Sequence, residues 1–588
     1  MAPGATTTAS EPAAYTNGRG GAADSEPITK PLYDERDMKI ICIGAGASGL
    51  VFAYKLQRSF EKFSLTIYEK NTELSGTWFE NRYPGCACDV AAHNYTYSFE
   101  PKPDWSSVYA SSKEIYGYFN DFADKYNLRP YVKTQKQVVS ARWVPERGGW
   151  IVGVKDLVSG EVFEDFCHIL VNAGGILNAW KWPSIPGFED FKGPKLHTAA
   201  WDDSVDVDNK TVGLIGNGSS GVQVLPAIYP RVKKIVHFIR KGTWVAPPLR
   251  GLSQHVYTPE ELDRFANEPG FLLEHRKKYQ TSTSGVFNLF IRGSQTQKDV
   301  RASMEKHMTE RIQDPVLRER LIPHWSVGCR RLTPGIKYLE ALQTDKVDVI
   351  MSGIKEITPT GTRTVDGHQQ DFDVLLCATG FDVSFRPRFP LLGQGGEDLR
   401  ELWSKEALGY LGLAAPQMPN YFAFLGPNCP IGNGPILIAI EAQADYILKW
   451  CDRWQTENIR SFTPKWDAIK DFNAHSDQFM RNTVWTEDCS SWYKGNSVTG
   501  RVSALWPGST LHYLEVLSQI RSDDWDVEYN GNRFSFLGNG FSQTELDPTS
   551  DWAFYIKEHD DSPFIAKSKQ RRIINKSGSK AGTEFKVI

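Results

Sequence analysis

The sequence predicts an α/β chain built on two Rossmann-like dinucleotide-binding domains. Three observations carry this. There are two Gly-x-Gly-x-x-Gly loops, Gly44-Ala45-Gly46-Ala47-Ser48-Gly49 and Gly216-Asn217-Gly218-Ser219-Ser220-Gly221. Each follows a short β-branched run and precedes a helical pattern and a second strand, which is the context such a loop needs to hold a pyrophosphate. About 20 positions after each loop stands a residue that meets the adenosine ribose, and the two have opposite charge: Glu69 and Arg240.

In the first unit, Met38–Ile43 reads as a strand, Ala47–Ser59 as a helix and Phe63–Tyr68 as a second strand. An acid at position 69 accepts hydrogen bonds from free ribose hydroxyls, so this unit suits an unphosphorylated dinucleotide, FAD or NAD. The second unit repeats the grammar with a strand at 210–215, a helix at 221–228 and a strand at 234–239. An arginine at position 240 suits a 2′-phosphate and therefore NADPH. Gly44, Gly46, Ser48, Gly49 and Glu69 are the candidate contacts of the first cofactor. Gly216, Gly218, Ser219, Ser220, Gly221, Arg240 and Lys241 are those of the second.

A second echo links Cys167–Gly175 with Asp373–Gly380, each a buried strand ending in small residues that let backbone approach a cofactor closely. Ala378, Thr379 and Gly380 are candidates on that ground. The first member precedes the second nucleotide unit and the second closes it. The NADPH domain is therefore nested in the FAD domain: 37–175 and 381–560 for the latter, 176–380 for the former, with Pro and Gly at 183–187 marking the first linker. Between about 249 and 323 the strand signal is poor and helix-favouring charged stretches dominate, which reads as a helical insertion. A further helix is expected from Ile436 to Gln455.

Composition narrows the function classes. The 588 residues allow two or more cores, and 40% hydrophobic with 23% charged residues is ordinary for a soluble protein. Lys plus Arg is 67 against 70 for Asp plus Glu, a net of −3, so nucleic acid and anionic membranes exert no global pull. The 18 Trp, 23 Tyr and 31 Phe suit apolar pockets around flat cofactors as well as large cores. Nine scattered cysteines show no zinc spacing, and Cys86-x-Cys88 fits no dithiol motif; they read as reduced thiols of a cytoplasmic protein with no metal site. Residues 1–36 read as a flexible leader without an apolar signal region, and 561–588 as a polar tail. The run from Ile40 to Tyr54 is too short to span a membrane.

Three segments specify chemistry. Phe191, Gly193, His197, Trp201 and Asp202 stand in the spacing Phe-x-Gly-x-x-x-His-x-x-x-Trp-Asp/Pro. Gly76-Thr-Trp78, four residues, Tyr83-Pro84-Gly85, three residues and Asp89 form a second pattern. Gly328-Cys329-Arg330-Arg331-Leu332 supplies a basic pair. Together these resemble type I Baeyer–Villiger monooxygenases over about Asp37 to His512. Flavin monooxygenases that oxidise amines and sulfides share the linker pattern, usually without the Trp and following Asp/Pro. Gly500–Ser509 resembles fungal and acetophenone-type members.

The resemblance implies FAD and NADPH as cofactors. It implies conversion of a ketone and O2 to an ester or lactone through a C4a-peroxyflavin, with N- or S-oxygenation as the alternative. Arg331 would then be the active-site arginine, unable to lose its proton and so able to face an anion. Asp89 would set its position; the plain alternative for Asp89 is a turn or cap residue. Arg330 would join Arg240 and Lys241 at the 2′-phosphate. Thr77, Trp78, Asp89 and Tyr95 would line the cofactor site, and Trp492 in Ser491-Trp492-Tyr493 would anchor a loop over NADP, or else simply pack. His197 is expected to couple domain movement rather than transfer protons, and Trp201 to pack at the hinge.

Overall fold

The computed structural model describes residues 28–247, 254–432, 434 and 436–560; the leader up to residue 27, the tail from 561 and part of the expected insertion near 249 lie outside them. The described chain divides into two compact units. Residues 28–34 with 534–560 form one, in which Leu32 N–H donates to the Phe541 carbonyl at 2.9 Å and Tyr33 stacks on Phe536. Glu35–Arg533 form the other.

Two five-stranded parallel sheets organise the larger unit. The first has the order Tyr421–Ala423, Ile169–Asn172, Met38–Ile43, Phe63–Tyr68, Val132–Lys133. The second runs Val347–Ile350, Lys234–Phe238, Thr211–Ile215, Val374–Cys377, Lys195–His197. The chain makes four strands of the first sheet, then all of the second, then returns with Tyr421–Ala423. That return is the nesting expected from the sequence. Parallel strands covered on both faces need continuous apolar runs rather than alternation. Accordingly Ile40, Ile41 and Cys42, like Val374, Leu375, Leu376 and Cys377, are all buried.

The helices Ala47–Ser59 and Ser219–Ile228 follow the two glycine loops directly. The first packs on the 21-residue helix Ile436–Thr456, which returns from the far end of the chain. A third sheet, Lys136–Val144, Gly149–Asp156 and Val162–Cys167, is antiparallel and extended by Leu391–Leu392.

The expected insertion is helical: Pro259–Asn267, Phe271–Ser284, Gln295–Arg311 and Pro315–Leu321. Its second half is two helices separated at 312–314. Asp314 caps the second piece through the Val316 amide at 2.8 Å, and Pro315 sits at its first position, where the missing N–H matters least. Arg276 ties the insertion down, donating to the carbonyls of His93, Tyr97 and Ser98 and to Thr96 Oγ1 at 2.9–3.1 Å.

Candidate active site

At the first loop the strand Met38–Ile43 turns through Gly44 at φ +100°, where a Cβ would stand 2.7 Å from the Ala173 carbonyl oxygen; a Cβ on Gly49 would stand 2.1 Å from the Gly44 oxygen. The second loop repeats this. Gly216 has φ +108°, its Cβ would meet the Ala378 oxygen at 2.5 Å, and that of Gly221 the Gly216 oxygen at 2.2 Å. The echoed small residues serve two ends: Ala173 and Ala378 press on their own glycine loops, and Ala173, Gly174 and Gly175 line the cleft.

The two helices that follow start at Gly46 and Gly218 with no side-chain cap. Their first N–H groups therefore await an acceptor, which is what phosphate oxygens supply. The residues present fit a dinucleotide at each loop.

One cleft gathers most of the first cofactor's expected contacts: Gly44, Gly46, Ser48, Glu69, Thr77, Trp78 and Tyr95. Glu69 is buried and accepts from the Ala45 and Asn71 amides, each at 2.8 Å; burial pushes its carboxyl up despite both bonds. Trp78 Nε1 donates to Tyr95 Oη at 3.2 Å with the rings edge to face, and burial pushes the Tyr95 phenol up.

Arg331 and Asp89 come together from 242 positions apart. Nε donates to Oδ2 at 2.8 Å and Nη2 to Oδ1 at 2.7 Å, a bidentate pair, while Nη1 reaches the Ile431 carbonyl at 3.2 Å. Asp89 beside it raises the guanidinium further above its ordinary range. Both charges act on the phenol of Tyr95, which lines the cleft, although neither Arg331 nor Asp89 lines it directly. The plain alternative for Asp89, a turn or cap residue, is not what the geometry gives.

Arg330 is pushed down by burial and by the neighbouring Arg240 guanidinium. Among the described residues neither has a carboxylate at ion-pairing distance. Two like charges held together in this way fit a dianion between them. Lys241 is exposed, and its carbonyl accepts from Asn217 at 2.9 Å. Ser219 Oγ meets Thr333 Oγ1 at 2.7 Å, fixing the second loop to the segment after Arg331.

The linker signature forms structure. Lys195–His197 is the edge strand beside Val374–Cys377, and a Cβ on Gly193 would stand 2.3 Å from the Asp373 oxygen. Phe191 packs on Phe372 at 5.3 Å and Trp201 is buried in the core. Asp202 accepts from the Ser204 amide at 2.9 Å, a turn role. The His197 ring accepts from the Ala199 amide through Nδ1, meets Thr379 Oγ1 through Nε2 at 3.2 Å and stacks on Trp180; burial lowers it to about 4. It is neutral at physiological pH and links this strand to the Ala378-Thr379-Gly380 turn.

Sequence reasoning missed three features. Tyr83 Oη donates to Gln223 Oε1 at 2.6 Å, and Gln223 Nε2 to the Ala87 carbonyl at 2.9 Å, so the Tyr83-Pro84-Gly85 signature clasps the helix after the second loop. Asn178 and Arg388 bond each other at the cleft rim; the Arg386-x-Arg388 spacing just after Gly380 was the available signal. Finally, Cys329 and Cys489 form a disulfide with Cα atoms 6.3 Å apart. This corrects the reading of all nine cysteines as reduced. Their separation of 160 positions, outside any spacing motif, hid the pair. The other seven are free and buried. Among the described residues, no group of three or more His, Cys, Asp or Glu could hold a metal ion. No helix among them is long and apolar enough to cross a membrane.

Residues 42–111 match the NAD(P)-binding Rossmann-like domain family. The chain is 39% identical to the FAD-binding monooxygenase moxY of Dothistroma septosporum over 86% of its own length and 82% of the relative's. It is 30% identical to a Baeyer–Villiger monooxygenase of Streptomyces coelicolor over 83% and 92%. Among solved structures, cyclohexanone monooxygenase from Rhodococcus sp. Phi1 bound to NADP+ superposes with a TM-score of 0.74 at 26% identity, covering 85% of this chain and all of that one. The two nested nucleotide sheets define the class, a two-dinucleotide flavoprotein oxidoreductase. Within it, this chain belongs to the FAD-binding monooxygenases of Baeyer–Villiger type.

Proposed function

We propose that the chain uses NADPH and O2 to convert a ketone to an ester or lactone, with Arg331 as the residue on which the reaction depends. The observation that carries this is the bidentate Arg331–Asp89 pair, whose charges act on Tyr95 in the lining of the cleft that suits FAD. When bound, the flavin, reduced by NADPH, activates dioxygen and supplies the inserted oxygen atom.

The chain's own residues do the rest. The amides at the start of helix Ala47–Ser59 hold the FAD diphosphate, and Glu69 holds its adenosine ribose. Those at the start of Ser219–Ile228 hold the NADPH diphosphate. Arg240, Arg330 and Lys241 hold its 2′-phosphate, and the Trp492 loop covers the nicotinamide cofactor. Arg331 keeps its proton throughout and stabilises negative charge developing on the reacting oxygens, in a site where an unpaired anion is costly. Asp89 fixes the guanidinium plane. His197, neutral and hydrogen-bonded, is a positioning residue rather than a base.

In the division of labour, 37–175 and 381–560 form the flavin domain, and 176–380 form the NADPH domain with its helical insertion at about 249–323. We place the enzyme in the cytoplasm. Seven buried free thiols fit a reducing compartment, which makes the disulfide the exception.

The test is oxygen uptake with NADPH in the presence of a ketone and, separately, a sulfide, with product analysis. Ester from the ketone is expected. Arg331→Ala should lower ester formation by roughly 100- to 1,000-fold, the scale of losing one charge-stabilising donor, while NADPH consumption continues. Ester formation at the parent rate would overturn the role of Arg331. Sulfoxide with no ester would favour the N- or S-oxygenating alternative.

A further inference from the structure

The segment that delivers Arg330 and Arg331, between Leu321 and Thr333, has no regular secondary structure, and neither has most of 483–497. The two are bonded to each other as well as to the rest of the fold, through Asp89, Trp244 and Gln297 on one side and Arg292 on the other. Ser326 donates to the Glu487 carboxylate twice, from its amide at 2.7 Å and its hydroxyl at 2.8 Å. His324 Nε2 meets Asp488 Oδ2 at 3.1 Å, and the Tyr493 phenol stands beside Arg331. Lys494 folds the loop on itself, donating to the carbonyls of Glu487 and Val498. In the middle of this seam lies the Cys329–Cys489 bond, one residue before Arg330 and three before Trp492. It is the only covalent link in the seam, and both sulfurs are fully buried.

We propose that Cys329–Cys489 is a redox-modification site, opened by a dithiol reductant, which releases loop 487–497 from the arginine segment and weakens the hold on NADP. This rests on the reading of the Trp492 loop as a cover over that nucleotide. A thiolate of the reductant attacks one sulfur, the S–S bond breaks, and the departing thiolate takes a proton. The second thiol of the reductant resolves the mixed disulfide. Two electrons pass to the protein, leaving two cysteine thiols and one oxidised reductant. Since neither sulfur meets solvent, attack requires the loop to lift first, and bound NADP+ protects the bond. In a reducing compartment such a bond is transient rather than permanent.

The test uses flavin-loaded full-length enzyme in three forms: alkylated without reductant, treated with dithiothreitol, and the double variant Cys329→Ser/Cys489→Ser. Retained flavin absorbance reports folding. A non-reducing peptide map of the first form should contain the linked pair. Without nucleotide, amide exchange in 487–497 should rise in the second and third forms. NADP+ affinity should fall about tenfold in both, as for a closed state populated a tenth of the time. Saturating NADP+ should slow reduction by dithiothreitol. Free thiols in the first form, or unchanged exchange in both others, overturns the site. Raised exchange with unchanged NADP+ affinity, matched by unchanged affinity in Trp492→Ala, overturns the cover reading and the nucleotide coupling with it.

Discussion

In the proposed function a single guanidinium decides between two nucleotides that differ by one phosphate. Arg240 is exposed, lacks an acidic partner among the described residues, and has Arg330 for a neighbour. A charge-assisted bond to a dianion contributes about 1.5–3 kcal/mol, or roughly 10- to 150-fold in affinity. Arg240→Ala should lose preference for NADPH over NADH by that factor, read as the ratio of kcat/KM for the two; an unchanged ratio would put the phosphate elsewhere. Four imidazoles weaken the fold in acid. Burial lowers His93 to about 3 and His168, His197 and His237 to about 4. Unfolding returns each to about 6.5, so between pH 6.5 and 4 the unfolded chain binds more protons. Their contribution is therefore complete above pH 6.5 and is lost as pH falls through that window. The urea midpoint should drop from pH 7 to pH 4.5, and less steeply in His197→Gln.

The two glycine loops are built alike, and each can be broken without touching the other. At Gly44 and Gly216 an alanine faces both a positive φ and a carbonyl under 3 Å away, a strain of about 1–3 kcal/mol before any cofactor is considered. Gly44→Ala should yield colourless protein. Gly216→Ala should stay yellow but lose NADP+ binding in a calorimetric titration. A yellow Gly44→Ala protein would refute the assignment of the first loop to FAD. These elements were legible because period, loop and helix all lie within a few residues of one another. The first unit's expected bounds, Met38–Ile43, Ala47–Ser59 and Phe63–Tyr68, agree with the structure to the residue. The partners of the loops were not legible: Ala173 and Ala378 stand more than a hundred positions from the glycines they press on, and no local pattern marks such a contact.

At the scale of the molecule, the same distance problem hid how the two sheets are joined. The Arg331–Asp89 pair was reached through resemblance, because a motif named both residues. The Tyr83–Gln223 bond had no such label, although it links the flavin-side signature to the helix of the NADPH loop. Gly85 shares that contact, since a Cβ there would stand 2.6 Å from the Gln223 oxygen. Tyr83→Phe leaves a half-buried amide oxygen without its donor, at about 1 kcal/mol. It should lower the urea midpoint, and it should weaken NADP+ binding more than it disturbs flavin absorbance. Equal loss of both would mean that the bond supports the core generally rather than the junction.

The order in which the chain is made gives the nested sheets one more meaning. The flavin cleft is walled partly by Leu425, Ile436, Leu437 and Ile440, and its outermost strand is Tyr421–Ala423. A ribosome must therefore finish the whole NADPH half before the last wall of the flavin cleft emerges. The yellow cofactor meets its completed socket late in translation, and a message cut short near residue 380 yields a protein without the outer strand Tyr421–Ala423 and the walls at Leu425, Ile436, Leu437 and Ile440.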